Sequence, residues 1–206
     1  MTATIPGGVN ASGVATGLHA SGSTVWSNPV GNGSAKALSS NTWATGDYYQ
    51  FTLSINDNAF AGMGLEIAFD QTGSNTGPKD FQLSYSVDGT NFTDFSAVYN
   101  VTNDTWTGSS PKPISTRSFD LSSVDAIDTA LDSASSTITF RLSMADSNPI
   151  SGSLGTAGTD RVDNFIVSSV PEPSALFRSC SAQESSPGGG GGKTRGSLWG
   201  NGEVSG

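Results

Sequence analysis

The stretch DFQLSYSVDGTNFTDFSAVY, residues 80–99, decides the fold class. Phe81, Leu83, Tyr85 and Val87 alternate with Gln82, Ser84 and Ser86, the period-two pattern of a strand with one buried face. Asp88-Gly89 follows, a pair that tolerates the positive φ of a tight hairpin turn, and NFTDFSAVYNV then reads as a second strand. The two are expected to be antiparallel neighbours. Outward from this hairpin the same signature recurs in DYYQFTLSI, GLEIAFDQT, ISTRSFDL, STITFRLSM and RVDNFIVSSV, each run bounded by turn residues. Seven such runs predict a sandwich. An eighth strand is expected near the amino end, around GVNASGVATGLHASG or STVWS, where the alternation is weak. Only LSSVDAIDTALDSA looks helical, and it is read as a loop with one helical turn. The expected fold is all-β: a single antiparallel β-sandwich of jelly-roll type over about residues 1–169.

The chain of 206 residues is long enough for one core and does not call for two. Charged residues make up 13% and hydrophobic ones 34%, with Gly, Ser, Thr, Asn and Asp filling the remainder, as in a turn-rich β-protein. A formal net charge of -9 leaves no basic stripe for phosphates, so neither nucleic acid nor anionic lipid is an expected partner. Cys180 is the single cysteine and lies beyond the last strand, so the sandwich is expected to need no disulfide. No segment approaches the roughly 18 apolar residues of a membrane span, and MTATIPGGVNASG lacks the basic and apolar regions of a signal peptide.

After the last strand the chain reads VPEPSAL, residues 170–176, and then a polar tail, residues 177–206, with five glycines following Pro187. That tail has too little apolar surface to offset the entropy of ordering and is expected to be disordered. Val170, Pro171, Glu172, Pro173 and Ser174, placed directly after a terminal strand, resemble the carboxyl-terminal sorting signal of PEP-CTERM proteins. In that family an apolar helix and a cluster of arginines follow the Pro-Glu-Pro turn, and both are missing here. A reading-frame slip accounts for the departure. Codons beginning with T at Phe177, Ser179, Cys180, Ser181, Ser185 and Ser186 would place T in the middle of the shifted codon, which always encodes an apolar residue, and the glycine run would become arginines. The resemblance implies export from a Gram-negative bacterium that makes exopolysaccharide, recognition by an exosortase, and a place in the cell envelope, on the cell surface or in the extracellular matrix. It also implies a start truncated or misplaced at Met1. The strands upstream are similar to the sandwich domains that precede this signal, of the carbohydrate-binding-module or galactose-binding-like kind.

Candidate chemistry is sparse. A Ser-His-Asp device needs a histidine base, and the chain has only His19, read as a surface or strand-edge residue. No His/Cys cluster offers transition-metal ligands, and no cofactor is expected. In LEIAFDQ, Glu66, Ala68 and Asp70 share a face, read as solvent-exposed. Four residues of strand separate the two acids by roughly 13 Å, too far for the carboxyl pair of a glycoside hydrolase at about 5.5 to 9.5 Å. Asp160 and Asp163 raise a structural calcium ion, against a solvated turn with Arg161 paired nearby. Trp26, Trp43 and Trp106 are candidate sugar-stacking residues, set against the core or half-buried positions usual for tryptophan. The expected function is a non-enzymatic structural or adhesive role at the bacterial surface, with exosortase and exopolysaccharide as partners. A carbohydrate-binding module is the first alternative and a glucanase-like hydrolase the second; no catalytic residue is assigned.

Overall fold

The computed structural model describes residues 11–56 and 58–171. Eleven strands and one helix follow one another: β1 (Ala11–Leu18), β2 (Trp26–Ser27), β3 (Leu38–Ser40), β4 (Tyr48–Asn56), β5 (Met63–Gly73), β6 (Asp80–Ser86), β7 (Thr93–Asp94), β8 (Tyr99–Asn100), β9 (Thr116–Asp120), α1 (Asp125–Leu131), β10 (Ser135–Met144) and β11 (Asp160–Pro171). One sheet has the order β1-β4-β10-β6-β7, with β8 also on β6, and the other β2-β3-β11-β5-β9. Every pairing is antiparallel, and the two layers form the expected jelly-roll sandwich.

Alternation builds the core between the layers. Tyr49, Phe51, Leu53 and Ile55 of β4, Phe81 and Leu83 of β6, and Ile138, Phe140, Leu142 and Met144 of β10 are buried from one sheet. Leu65, Ile67 and Phe69 of β5 and Val162, Phe165 and Val167 of β11 meet them from the other. Each such side chain contributes about 1.5–3 kcal/mol of burial. β11 is out of phase with a plain strand, since its pairing with β5 shifts between Asp163 and Ile166 and Asn164 takes a φ of 49°. This bulge turns Phe165 inward, where its ring stacks on Phe51 at 3.8 Å and an interplanar angle of 3°.

The hairpin opening the sequence argument forms as expected, with Gly89 at a φ of 75°. Val87 nevertheless falls in the turn and is 40% exposed instead of facing the core. Its partner run is not one strand but two dipeptides, β7 and β8, both on β6. The interruption has a cause: the Leu83 N–H donates to the Ser96 hydroxyl (3.0 Å), so a side chain stands where a backbone acceptor would continue the ladder. Both amino-terminal candidates become strands, β1 and β2, while β3 was not expected. α1 is a seven-residue helix that buries Ile127 and Leu131, four residues apart on one side. β11 continues through Val170 and Pro171, opposite Gly64 and Met63.

Candidate functional site

The outer face of the six-stranded sheet gathers planar and hydrogen-bonding side chains around one arginine. Because Tyr49, Phe51 and Leu53 of β4 point inward, Tyr48, Gln50 and Thr52 point outward. The register then lines Thr16, Gln50, Arg141, Ser84 and Asp94 into one row across five strands, about 19 Å long at a spacing of about 4.8 Å. A neighbouring row holds Leu18, Tyr48, Ser143 and Gln82.

Arg141 is held by three groups. Its Nε–H donates to Gln50 Oε1 at 2.9 Å. Its guanidinium carbon lies 4.0 Å from the centre of the Tyr48 ring and 3.5 Å from that of Phe92, so aromatic rings engage the plane in two contacts, each of the order of 0.5–2 kcal/mol. Phe92 reaches it from the hairpin turn. That turn is built on Asp88, whose carboxylate accepts the Thr90 N–H (2.8 Å), the Asn91 N–H (2.7 Å) and the Asn91 side-chain amide (2.6 Å). These donors, Asn91 foremost, hold the Asp88 carboxyl well below the usual carboxylate range. Among the described residues no carboxylate lies within 4 Å of the Arg141 guanidinium, and the described ion pair is elsewhere, between His19 and Asp47.

His19 corrects the expectation of a surface residue: its side chain is 1% exposed. Its Nδ1 lies 3.3 Å from Asp47 Oδ2 and its Nε2 3.2 Å from the Ser40 hydroxyl. The order Ser40–His19–Asp47 is that of a serine hydrolase. The surroundings differ, however. Ser40 is 1% exposed and also contacts the Tyr49 hydroxyl (3.4 Å), while the imidazole is packed against Trp26 and Trp43 at 5.0 and 4.3 Å. Asp47 also accepts the N–H groups of Ala20 and Ala44, both at 2.7 Å. Burial pushes the His19 pKa down, against the opposing Asp47 charge. A hydroxyl sealed in this way offers no approach to a substrate carbonyl, and the relay ties the end of β1 to β3 and to the start of β4.

The three tryptophans do not form one platform. Trp43 and Trp106 are buried, because each indole N–H is satisfied inside, by Ser40 O (3.1 Å) and the Ser115 hydroxyl (2.9 Å) respectively. Only Trp26 is open, at 39%. It lies directly over Gly17, where a Cβ would collide with the indole ring.

The acidic candidates also move. Glu66 and Asp70 stay apart, since the ladder between β5 and β9 is unbroken from Glu66 to Asp70. Glu66 takes the Ser118 hydroxyl. Asp70, expected in solvent, is buried and accepts from Thr116 (2.6 Å) and Asn164 (2.8 Å). Asp160 and Asp163 are not in a solvated turn either, because both are buried. They serve separate networks. Asp163 Oδ2 accepts the Asn32 N–H (2.7 Å) and the Ser34 hydroxyl (2.6 Å), whereas Asp160 Oδ1 accepts the Gln71 amide (3.0 Å) and its Oδ2 has no partner among the described residues. Arg161 turns instead to Val30 O (3.2 Å). Among the described residues no three His, Cys, Asp or Glu side chains are grouped to hold a metal ion, and no helix is long and apolar enough to cross a membrane. Glu172, Pro173 and Ser174 of the sorting motif lie outside the described residues, as does the tail from 177 to 206.

Arg141, Tyr48, Gln50 and Phe92 were not singled out in the sequence. The available signal was a cation inside STITFRLSM, between two core positions and therefore outward, in a chain with only 9 Lys and Arg.

No family model matches the sequence, and no curated protein matches it either. Solved structures with a similar course include a CBM4 (17% identity, TM-score 0.40, 77% of this chain and 86% of that one). Another is the CBM22-1–CBM22-2 tandem of Xyn10C from Paenibacillus barcinonensis (15%, 0.44, 76% of this chain and 40% of that one). A third is the family 11 carbohydrate-binding module of the cellulosomal cellulase Lic26A-Cel5E from Clostridium thermocellum (14%, 0.37, 80% and 89%). At these identities and scores the likenesses carry no argument about ligands, and any reading of function rests on the residues themselves.

Proposed function

We propose that the sandwich is a non-enzymatic glycan-binding module of an exported bacterial surface or matrix protein, and that it holds polysaccharide on the outer face of the six-stranded sheet. The observation that carries this reading is the Arg141 clamp: a guanidinium fixed by Tyr48, Phe92 and Gln50 in the middle of a polar row that runs from Thr16 to Asp94. Sugar rings offer hydroxyl groups at fixed spacing and apolar faces. A rigid row of donors and acceptors flanked by aromatic rings meets both needs without ordering flexible side chains on binding.

Export and sorting belong to the same reading. Val170 and Pro171, the first two residues of the Val-Pro-Glu-Pro motif, are still paired with β5 at the end of the described residues. An exosortase acting there would release the sandwich into a polysaccharide matrix that its sheet face then grips. Adhesion and glycan binding are then one role.

Titration calorimetry against a panel of soluble polysaccharides tests the binding arm. The unaltered chain is expected to bind at least one, and Arg141→Ala or Tyr48→Ala to weaken that binding about tenfold each, equivalent to about 1.4 kcal/mol. Binding that is untouched by both substitutions would place the site elsewhere, and failure to bind any glycan would remove the reading. The sorting arm is read by fractionating cells that express the natural gene with Pro171 and Pro173 replaced by alanine. Unchanged release to the surface would exclude the motif as a signal.

A further inference from the structure

We propose that Arg141 is a carboxylate receptor, so that the polysaccharide held on this face carries uronic acid residues. This rests on the glycan reading and names its ligand class. The charge balance of the region motivates it. The chain has 18 Asp and Glu against 9 Lys and Arg, so a half-buried arginine has acids in excess to pair with. None is within reach. Asp94 stands in the same row, opposite Ser84, yet among the described residues no carboxylate comes within 4 Å of the guanidinium.

The other described arginines show the contrast. Arg117 spends both terminal nitrogens on the carbonyls of Ile114, Thr116 and Asn100, and Arg161 gives one to Val30. Among the described residues Arg141 gives only its Nε–H, to Gln50, and its Nη1 and Nη2 groups take no protein acceptor. With rings against the guanidinium plane, the remaining hydrogen-bonding capacity lies along its edge, where two parallel N–H groups match the two oxygens of a carboxylate. A cation that is stripped of part of its water and left without a counter-ion is costly unless a ligand completes it. The adjacent Ser143 and Gln82, both half-buried, stand where the hydroxyls of the same sugar chain can be met.

The full chain is titrated at about 0.15 M salt, where charges more than about 8 Å apart are largely screened. Three ligands of equal length are compared: an oligogalacturonate, the same oligomer with its carboxyl groups reduced to alcohols, and a sulfated neutral oligosaccharide. The expected result is binding of the uronate, a loss of at least about tenfold on carboxyl reduction, and weaker binding of the tetrahedral sulfate ester. Arg141→Lys, which keeps the charge but not the planar fork, is expected to lose the uronate preference. The carboxyl-reduced ligand is tested on the unaltered chain, so a variant that fails to fold does not decide the outcome. Equal binding of the reduced oligomer overturns the carboxylate assignment while leaving the glycan reading standing. Equal binding of the sulfated one replaces it with a general anion site. Absence of binding to all three and to neutral polysaccharides overturns both.

Discussion

Asp160 is a buried carboxyl of the sandwich interior. It is 0% exposed, with one carboxyl oxygen on Gln71 and the other without a partner among the described residues, and burial raises its pKa well above the usual carboxylate range. The same pocket pushes the Tyr49 and Tyr99 hydroxyls up, first through burial and then through the Asp160 charge. A raised native pKa means that the folded state binds more protons than the unfolded one above the ordinary value of 3.8. Its contribution to stability is therefore fully present below pH 3.8 and is lost as pH rises toward the native value. Asp160→Asn is expected to raise the thermal midpoint at pH 7 and to leave it nearly unchanged at pH 3, as read by calorimetric melting at both pH values. Equal shifts at both would show that the native pKa of this carboxyl is not raised. At this scale the sequence hid what matters. Asp160, Asp163 and Asp70 read as solvated because acids usually are, and only the packing of β3, β5 and β11 encloses them.

Two elements connect the core to the proposed binding face. The bulge in β11 sends Phe165 into a stack with Phe51 and Phe69 and a tilted contact with Phe140. Phe165→Ala is expected to cost about 3–5 kcal/mol in urea unfolding, because the rigid neighbours on both sheets cannot collapse into the gap. A cost below about 1 kcal/mol would mean that the bulge does not place the ring in the core. The hairpin turn works in the other direction. Asp88 organises residues 88–91 and so presents Phe92 to Arg141. Asp88→Ala is expected to weaken glycan binding several-fold while the core signals in a tryptophan fluorescence spectrum stay native. Loss of binding only together with unfolding would deny the turn that positioning role. The strands with large inward residues, β4, β5, β6, β9 and β10, were legible from alternation, and β11 from its apolar run bounded by turn residues. β1 was faint because its inward positions, Gly13, Ala15 and Gly17, are small and mark no apolar face. β3 is only three residues long and shows no period of its own. The bulge left no trace, since Val162, Phe165 and Val167 fit no single alternation.

Across the described residues the two sheets arrange their charged side chains differently. The five-stranded sheet shows Glu66 and its cross-strand neighbour Asp120, whose carboxyl is held below its usual range by the Ser122 hydroxyl and N–H. The six-stranded sheet shows Arg141 without an acid beside it. On the proposed reading a polysaccharide meets the Arg141 face, and β11, whose described end is Val170 and Pro171, belongs to the other layer. The jelly-roll class could be read from strand count and turn chemistry, but which face binds could not, because it depends on register across strands distant in sequence. Backbone amide shifts followed by NMR during titration with a bound polysaccharide test that assignment directly. The shifts are predicted to cluster in residues 48–54, 82–86, 92–94 and 139–143. Shifts confined to β5, β9 and β11, or to the surroundings of Trp26, would contradict it.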